Sequence, residues 1–413
     1  FGRKTYETIP INFRPLKDRS CYVISRTWLQ EDFRDIKICD SIKDALQKTT
    51  MKKYDEIFVA GGEQIYQEII NNYLYLCDKI YVTKFKNDFA CDQFFPWDTI
   101  KDLTRFKDTE ITKDYNRHFI SPNFNHEEYQ YLNLLSKILE FGEQKKDRTG
   151  TGCVSLFGSN SFTFDISERI PILTTKKVKY QNVIEELLFF ISGDTDTKHL
   201  KTKIWKGNTS REFLDSKGLL DYTEGDMGPG YSFQWRHWGA QYTGCEDDYT
   251  EQGIDQLHNL IEGIKENPFS RRHILSSWNV SQLDEMALPP CHCLVQFNVS
   301  GDGRYLDCQM YQRSADMFLG VPYNIASYSI LTYMIAHITN LRPRYFHHVF
   351  GDAHIYQNHE KQVMKQLKRT PFPFPRLSFR KPAKLRSIDD FNMSSFIIED
   401  YESWEPINAK MAI

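Results

Sequence analysis

A loop-like break at Ser121-Pro122-Asn123-Phe124-Asn125 does most to limit how these 413 residues can fold, because it separates two stretches of different texture. Ahead of it, short β-rich runs alternate with helical ones. Cys21-Tyr22-Val23-Ile24-Ser25, Ile57-Phe58-Val59-Ala60 and Lys79-Ile80-Tyr81-Val82-Thr83 read as strands, and Ile65, Tyr66, Ile69 and Ile70 recur at helical spacing behind Gly61-Gly62. This alternation predicts an α/β domain over 1–121, with a mostly parallel sheet and flanking helices. Residues 122–125 read as a short junction, and a second domain is expected over 126–413. There, 126–142 reads as a helix with Tyr129, Leu132, Leu135, Ile138 and Leu139 on one face. Helices over 183–191, 254–265 and 325–339, mixed with strands over 294–299, 305–311, 345–350 and 395–399, predict an α+β domain.

Composition narrows the function classes. An aromatic share of 14% is too rich for a disordered chain. A net charge of -3 argues against nucleic acid or an anionic membrane as partner. The longest apolar run, 187–191, is far too short to span a bilayer. Nine scattered cysteines, an odd number, predict reduced thiols and a cytoplasmic location. No charged-then-apolar leader is visible, and Phe1 runs straight into Gly2-Arg3-Lys4-Thr5, so the chain reads as starting inside a domain. The basic stretch 361–386 reads as a solvated face.

In the second domain the sharpest feature is Leu288-Pro289-Pro290-Cys291-His292-Cys293. The prolines stiffen the approach to a strand. As a nucleophile, Cys291 needs cations nearby to lower its pKa. A Cys–His dyad is disfavoured, since neighbours along a strand point to opposite faces. Zinc is disfavoured too, for want of further ligands at a workable spacing, so no metal is expected. Four arginines stand in suggestive settings: Arg148 in a Gly/Thr-rich loop, Arg271 and Arg272 side by side, and Arg313 next to Ser314. Guanidinium forks with a hydroxyl suit a phosphate dianion, and the same charges suit a thiolate. Glu186 lies in an apolar run, where burial raises its pKa and fits it to relay protons.

These residues carry a resemblance. Arg148-Thr149-Gly150-Thr151-Gly152, Glu186-Leu187-Leu188-Phe189-Phe190, Gln234-Trp235-Arg236, Pro289-Pro290-Cys291-His292, Gln312-Arg313-Ser314, Gly320-Val321-Pro322-Tyr323-Asn324-Ile325-Ala326-Ser327-Tyr328 and Gly351-Asp352-Ala353-His354-Ile355-Tyr356 stand in the order and spacing of the thymidylate synthase family, which 126–413 resembles throughout. The resemblance implies that Cys291 attacks C6 of dUMP, and that 5,10-methylenetetrahydrofolate supplies the one-carbon unit and a hydride. It implies catalytic roles for Cys291, Glu186, Tyr231 and His292. It implies dUMP contacts from Arg148, Arg271, Arg272, His292, Gln312, Arg313, Ser314, Ala315, Asp316, Asn324, His354, Ile355 and Tyr356. Folate contacts are implied for Ile204, Trp205, Asp316, Leu319, Gly320, Tyr323 and Ala412, with Ile413 closing as a lid. Arg271 and Arg272 resemble a pair that reaches in from a partner subunit, which implies a homodimer.

The first domain resembles dihydrofolate reductase, through Gly2-Arg3-Lys4-Thr5, Arg14-Pro15-Leu16-Lys17-Asp18-Arg19, Ser25-Arg26 and Gly61-Gly62. That implies NADPH binding by Gly2, Arg3, Lys4, Thr5, Ser25, Arg26, Gly61, Gly62, Glu63, Gln64, Ile65 and Tyr66, and folate binding by Ile9, Leu16, Arg19 and Thr83. It also implies a cis bond at Gly61-Gly62. The family's first strand, its loop over the nicotinamide and its helix carboxylate have no counterpart after Phe1. The expectation is therefore a reductase domain lacking its N-terminal part, inactive in a chain that starts here. Reductase followed by synthase matches the fused bifunctional enzymes of protists and plants. The rivals are a synthase with a scaffold domain, and an RNA-binding regulator using 361–386.

Overall fold

A computed structural model describes residues 1–52, 54, 56–73, 77, 80–86, 90–91, 94–96, 104–111, 115–122, 127–146 and 150–411. The chain divides into two compact units, Phe1–Asn125 and His126–Ile413.

In the first unit, β1 (Tyr22–Ile24) pairs in parallel with β2 (Lys37–Cys39), with Val23 opposite Ile38. The helices are α1 (Arg3–Thr8), α2 (Ile42–Lys52) and α3 (Glu63–Glu68). Tyr6, Cys21, Val23, Ile36 and Ile38 form a small apolar core between them. The expected mostly parallel sheet is corrected by the other three strands. β3 (Ile80–Phe85), β4 (Thr104–Ile111) and β5 (Tyr115–Pro122) form an antiparallel sheet in the order β3-β5-β4. Only a short link, 112–114, joins β4 to β5, and a parallel pair needs a crossover of about a dozen residues or more. The run 25–36 between β1 and β2 is long enough for one. The expected strand at Ile57-Phe58-Val59-Ala60 is irregular, because among the described residues no strand pairs with it; Ile57 and Phe58 are exposed.

The second unit is built on one sheet of six strands: β6 (Glu143–Lys145), β7 (Cys153–Asp165), β8 (Ile274–Ser276), β9 (His292–Val299), β10 (Tyr305–Asp316) and β11 (Arg342–Tyr356). Their order is β6-β7-β11-β10-β9-β8. β10 and β11 run parallel and the other pairs antiparallel. The parallel pair is joined by a helix, Gly320–Ile338, that is apolar around most of its circumference, as a helix sunk in a core must be. Two of its buried hydroxyls are satisfied within the helix: Ser329 Oγ donates to the Ile325 carbonyl and Thr332 Oγ1 to the Tyr328 carbonyl, each at 2.7 Å. The helix Glu128–Phe141 is anchored by Glu128, which is fully buried. Its carboxylate accepts the backbone N–H groups of Thr174 and Thr175 at 2.8 Å and their hydroxyls at 2.6 Å.

Two register shifts lie at the centre of the sheet, one where β9 carries an extra residue, Cys293, against Tyr311 and Gln312 of β10, the other in β11 between Phe350 and Asp352. Such bulges re-aim side chains. The second requires glycine: a Cβ on Gly351 would stand 2.7 Å from the Arg313 carbonyl oxygen and 2.9 Å from Tyr311 Oη. The basic stretch is not simply a solvated face. Arg369 is buried and donates to the carbonyls of Thr175 at 2.8 Å and Glu405 at 2.7 Å, pinning the last segment of the chain to the unit. Among the described residues, no helix is long and apolar enough to cross a membrane.

Gly351→Ala forces β10 and β11 apart where Arg313 is carried. It should lower the unfolding free energy by about 1–3 kcal/mol in urea titrations, the usual penalty for overpacking. A loss under about 0.5 kcal/mol would mean the two strands yield freely.

Candidate active site

Cys291 sits half-exposed between the rigid Pro289-Pro290 and the first residue of β9. Two groups fix it. Tyr231, at the start of the helix Tyr231–His237, accepts the backbone N–H groups of Cys291 at 2.6 Å and His292 at 3.4 Å on its Oη. Arg313, on the adjacent strand β10, donates its backbone N–H to the Cys291 carbonyl at 2.9 Å. Its side chain donates from Nε to the Pro290 carbonyl at 2.9 Å and from Nη2 to the Pro289 carbonyl at 2.8 Å. The guanidinium, 5.1 Å from the Trp278 ring centre, therefore lies beside the Cys291 loop. Burial pushes the neighbouring Cys293 thiol up, while Arg313 works against it.

The parallel register places Ser314 opposite Asp352 and Asp316 opposite His354, so these four project to one face. Ala315 pairs with Ala353 on the other face; both are fully buried, as is Ile355. The side chains of Ala315 and Ile355 therefore belong to the core, leaving only their backbone for a ligand. Asp352 gathers His354 Nδ1 at 3.1 Å, Lys145 Nζ at 2.9 Å and Ser155 Oγ at 3.2 Å. Burial is the largest influence on its carboxyl and pushes it up, but the bonds from His354 and Lys145 together outweigh it and hold it at about 2.

Asp316 accepts the N–H groups of Phe318 at 2.9 Å and Leu319 at 3.1 Å, which sets the start of the helix that carries Gly320, Tyr323 and Asn324. Asn324 and Gln312 are buried, and Gln312 Nε2 donates to Asn324 Oδ1 at 3.1 Å. Tyr356 closes the row, its ring 5.1 Å from that of His354.

Glu186 lies on the helix Tyr180–Ser192 and accepts Trp205 Nε1–H at 2.7 Å. The residue keeps some exposed surface, but protein surrounds the carboxyl, and burial raises it to about 7. Ile204 and Trp205 pack against the main core, and the Trp205 ring is 6.2 Å from that of Tyr231, which links Glu186 to the Cys291 loop. Burial pushes His292 down to about 3, so its ring is neutral; Nδ1 is 3.1 Å from Tyr328 Oη. Burial also lifts Tyr231 far above the ordinary phenol range. Tyr231 thus stays a phenol, with its own proton available to donate.

Arg271 and Arg272 are exposed and not beside Cys291. His273 is level with Phe297 on β9, roughly 20 Å along the strand from Cys291 at about 3.3 Å per residue. One chain thus brings a single described arginine, Arg313, to the thiol. Arg148, Ala412 and Ile413 lie outside the described residues. The sequence reading assigned no role to Lys145, Asp352, Tyr328 and His348. Asp352 and Tyr328 sat inside quoted motifs; Lys145 and His348 gave no local signal.

In the first unit, Gly2 N–H donates to the Gly61 carbonyl at 2.7 Å, and the Gly61-Gly62 bond is cis. This brings the starts of α1 and α3 together, and neither carries a side-chain cap. A Cβ on Gly62 would stand 3.0 Å from Thr5 Oγ1, and one on Gly61 2.8 Å from the Tyr66 ring, so Thr5, Gly61, Gly62 and Tyr66 form one tight cluster. Ser25 follows β1 and accepts Thr27 and Trp28 N–H at 3.2 and 3.0 Å; Arg26 beside it is exposed. Arg3 pairs with Glu7 at 3.5 Å, while Lys4 and Gln64 are exposed and Glu63 half-buried. Leu16, Arg19 and Ile65 line a cleft of about 830 Å³. Ile9 packs on the small core instead, and Thr83 is exposed on β3. Uncapped amides with Thr, Ser, Arg and Lys nearby are chemically suited to the phosphates of NADPH.

Two family models match the chain: Dihydrofolate reductase over residues 1–130 and Thymidylate synthase over 129–413. The bifunctional dihydrofolate reductase-thymidylate synthase of Zea mays is 42% identical over 464 residues, covering all of this chain and 88% of the relative. Similar matches come from Arabidopsis thaliana (42% over 457 residues, 87% of the relative) and Plasmodium chabaudi (39% over 490 residues, 82%), with proteins of the same name. The chain belongs to the bifunctional dihydrofolate reductase–thymidylate synthase family. It is thus a methyltransferase and an oxidoreductase of nucleotide and folate metabolism; the synthase domain uses methylenetetrahydrofolate and the reductase domain uses NADPH. Among the described residues, no group of three or more His, Cys, Asp or Glu could hold a metal.

The raised Glu186 carboxyl in the synthase domain has a measurable consequence. Its folded value of about 7 lies above the ordinary 4.5, so its contribution to stability is full below pH 4.5 and is lost as pH rises through 7. Glu186→Gln keeps an acceptor for Trp205 and removes the titration. In urea unfolding, the stability of the variant relative to the parent should rise by about 2 kcal/mol between about pH 5 and pH 8. A pH-independent difference would refute the raised value.

Proposed function

We propose that the synthase domain converts dUMP to dTMP through Cys291, and that the observation carrying this reading is the clamp on the Cys291 loop: Tyr231 Oη on two amides and the Arg313 guanidinium on two carbonyls. The Cys291 thiolate adds to C6 of the uracil ring, and the electron pair displaced to C5 attacks the methylene carbon of the folate. Loss of the C5 proton and departure of the folate nitrogen leave an exocyclic methylene. A hydride from tetrahydrofolate reduces it as the thiolate is eliminated, giving dTMP and dihydrofolate. Arg313, Ser314 and Arg148 hold the phosphate, His354 and Tyr356 the deoxyribose, and Asn324 the base edge. Gln312 acts through Asn324. Asp316 accepts from the pterin, with Ile204, Trp205, Leu319, Gly320, Tyr323 and Ala412 around it.

Glu186, poised near neutrality, moves protons on the Trp205 side of the cleft. His292 is neutral, so it offers hydrogen bonds rather than charge. Tyr231 orders the site by donating its phenol proton and is no base on its own.

The placement of Arg271 and Arg272 far along β9 supports a homodimer in which each pair completes the partner's phosphate site. In the reductase domain, NADPH supplies the hydride that returns dihydrofolate to tetrahydrofolate. Thr5, Ser25, Arg3, Lys4 and Arg26, with the backbone around Gly2, Gly61 and Gly62, hold its phosphates. Glu63, Gln64, Ile65 and Tyr66 complete that side, and Ile9, Leu16, Arg19 and Thr83 serve dihydrofolate. We place the domain boundary at the junction 122–125 and the enzyme in the cytoplasm.

Incubation with 5-fluoro-dUMP and methylenetetrahydrofolate should trap a covalent adduct, because fluorine at C5 cannot leave as the proton does. Peptide mass spectrometry should find it on Cys291 and lose it in Cys291→Ser; an unmodified Cys291 would sink the mechanism. Mixing inactive Cys291→Ala and Arg272→Ala chains should restore part of the synthase rate, since one hybrid site is intact. No recovery after confirmed subunit exchange would rule out shared sites.

A further inference from the structure

His348 lies in the middle of β11 with no exposed surface. Phe350, Phe346 and Phe162 enclose its ring, with centres 4.0, 5.5 and 6.2 Å away. Among the described residues Nδ1 has no hydrogen-bond partner, whereas Nε2 is 2.7 Å from Gln312 Oε1. In this apolar cage burial disfavours the charged ring, so the imidazole is neutral and carries one N–H.

Gln312 decides where that proton sits. Its two amide hydrogens are both committed, one to the Ser314 carbonyl at 3.0 Å and one to Asn324 Oδ1 at 3.1 Å. The atom it turns to His348 is thus the carbonyl oxygen, and the His348 proton belongs on Nε2. A relay of fixed polarity results. His348 N–H meets the Gln312 carbonyl, and Gln312 N–H meets the Asn324 carbonyl. Reversing the Asn324 amide would set its N–H group against that of Gln312, and reversing both would set the Gln312 carbonyl against that of Ser314.

Polarity at Asn324 is what separates two pyrimidines. Uracil presents a C4 carbonyl beside N3–H; cytosine presents an amino group beside a bare N3. Donor and acceptor are exchanged. We propose that His348 is a positioning residue for base selection: through Gln312 it holds the Asn324 amide in the orientation that matches uracil and mismatches cytosine. The inference rests on the dUMP reading above and adds to it a residue remote from the ligand.

The test compares the affinities of the full chain for dUMP and dCMP by calorimetry. His348→Phe keeps an aromatic ring in the aromatic cage but removes the N–H. The dUMP-to-dCMP affinity ratio should fall by about tenfold, the worth of one directed hydrogen bond. His348→Gln, whose amide N–H can meet the same Gln312 oxygen, should restore the ratio to within about threefold of the parent, as a lost donor predicts. A folded His348→Phe with an unchanged ratio overturns the proposal, and so does an equal loss of both ligands, which marks a packing role. If His348→Phe does not fold, imidazole ¹⁵N spectra of the parent decide, with the signal assigned by its loss in His348→Gln. A proton on Nε2 between about pH 6 and 8 supports the relay and one on Nδ1 refutes it. A parent that binds no dUMP sinks the dUMP reading itself; a parent that prefers dUMP with an unaffected variant sinks only this inference.

Discussion

Because β10 and β11 run parallel, Ser314 and Asp352, and then Asp316 and His354, reach the same face of the sheet in step. The parallel pairing has a second effect. It demands a crossover, and the crossover is the buried helix Gly320–Ile338, whose start is set by Asp316 and whose second turn delivers Asn324 to Gln312. A single choice of strand direction thus places Ser314, Asp316, His354 and Asn324. The backbones also come close enough at Gly351 that a methyl group would not fit, which brings Arg313 against the Cys291 loop.

Burial then sets the charge state of each group. It raises Glu186 to about 7, lowers His292 to about 3, and keeps Tyr231 a phenol. The remaining described charges around the thiol are few. Arg313 has its guanidinium tied to two proline carbonyls, and Asp352 is balanced by Lys145. A phosphate dianion calls for more positive charge than one anchored arginine gives. Arg148 lies outside the described residues, and under the proposed dimer Arg271 and Arg272 of a second chain would add to it.

The periodicity of the second unit made several of its elements legible, but not the strand β7, and the ends of those it showed were not legible. The helix expected at 325–339 begins at Gly320, because Gly320 and Pro322 read as loop, although proline is accommodated in a first helical turn. The strand expected at 345–350 continues to Tyr356, because Gly351-Asp352 interrupts the apolar pattern and a bulge absorbs the interruption. Cys291, Arg313 and Glu186 stood out by residue type and neighbours. His348 did not, because its meaning depends on a register that sets it opposite Met310 and so diagonally within reach of Gln312, distant in the chain. Arg369 misled for a related reason: a charge within a basic run reads as solvated, and only the folded chain reveals the carbonyls that bury it.

Buried amides carry information that apolar packing cannot. A leucine fills space and has no direction, whereas a hydrogen-bonded amide has a donor end and an acceptor end, and a chain of them passes that order along. The synthase domain does this twice. On one side the order runs from His348 through Gln312 to Asn324. On the other, Asn279 Nδ2 donates to Gln234 Oε1 at 3.1 Å, and Gln234 Nε2 donates to the Pro229 carbonyl at 2.8 Å and to Gln282 Oε1 at 2.9 Å. That second network pins Pro229-Gly230 just before Tyr231, the residue whose oxygen holds the Cys291 amide. Cys291 and Asn324 are therefore each tied to a directed polar network in the core. Since an unpaired buried amide costs about 1–3 kcal/mol, neither network tolerates a reversed member.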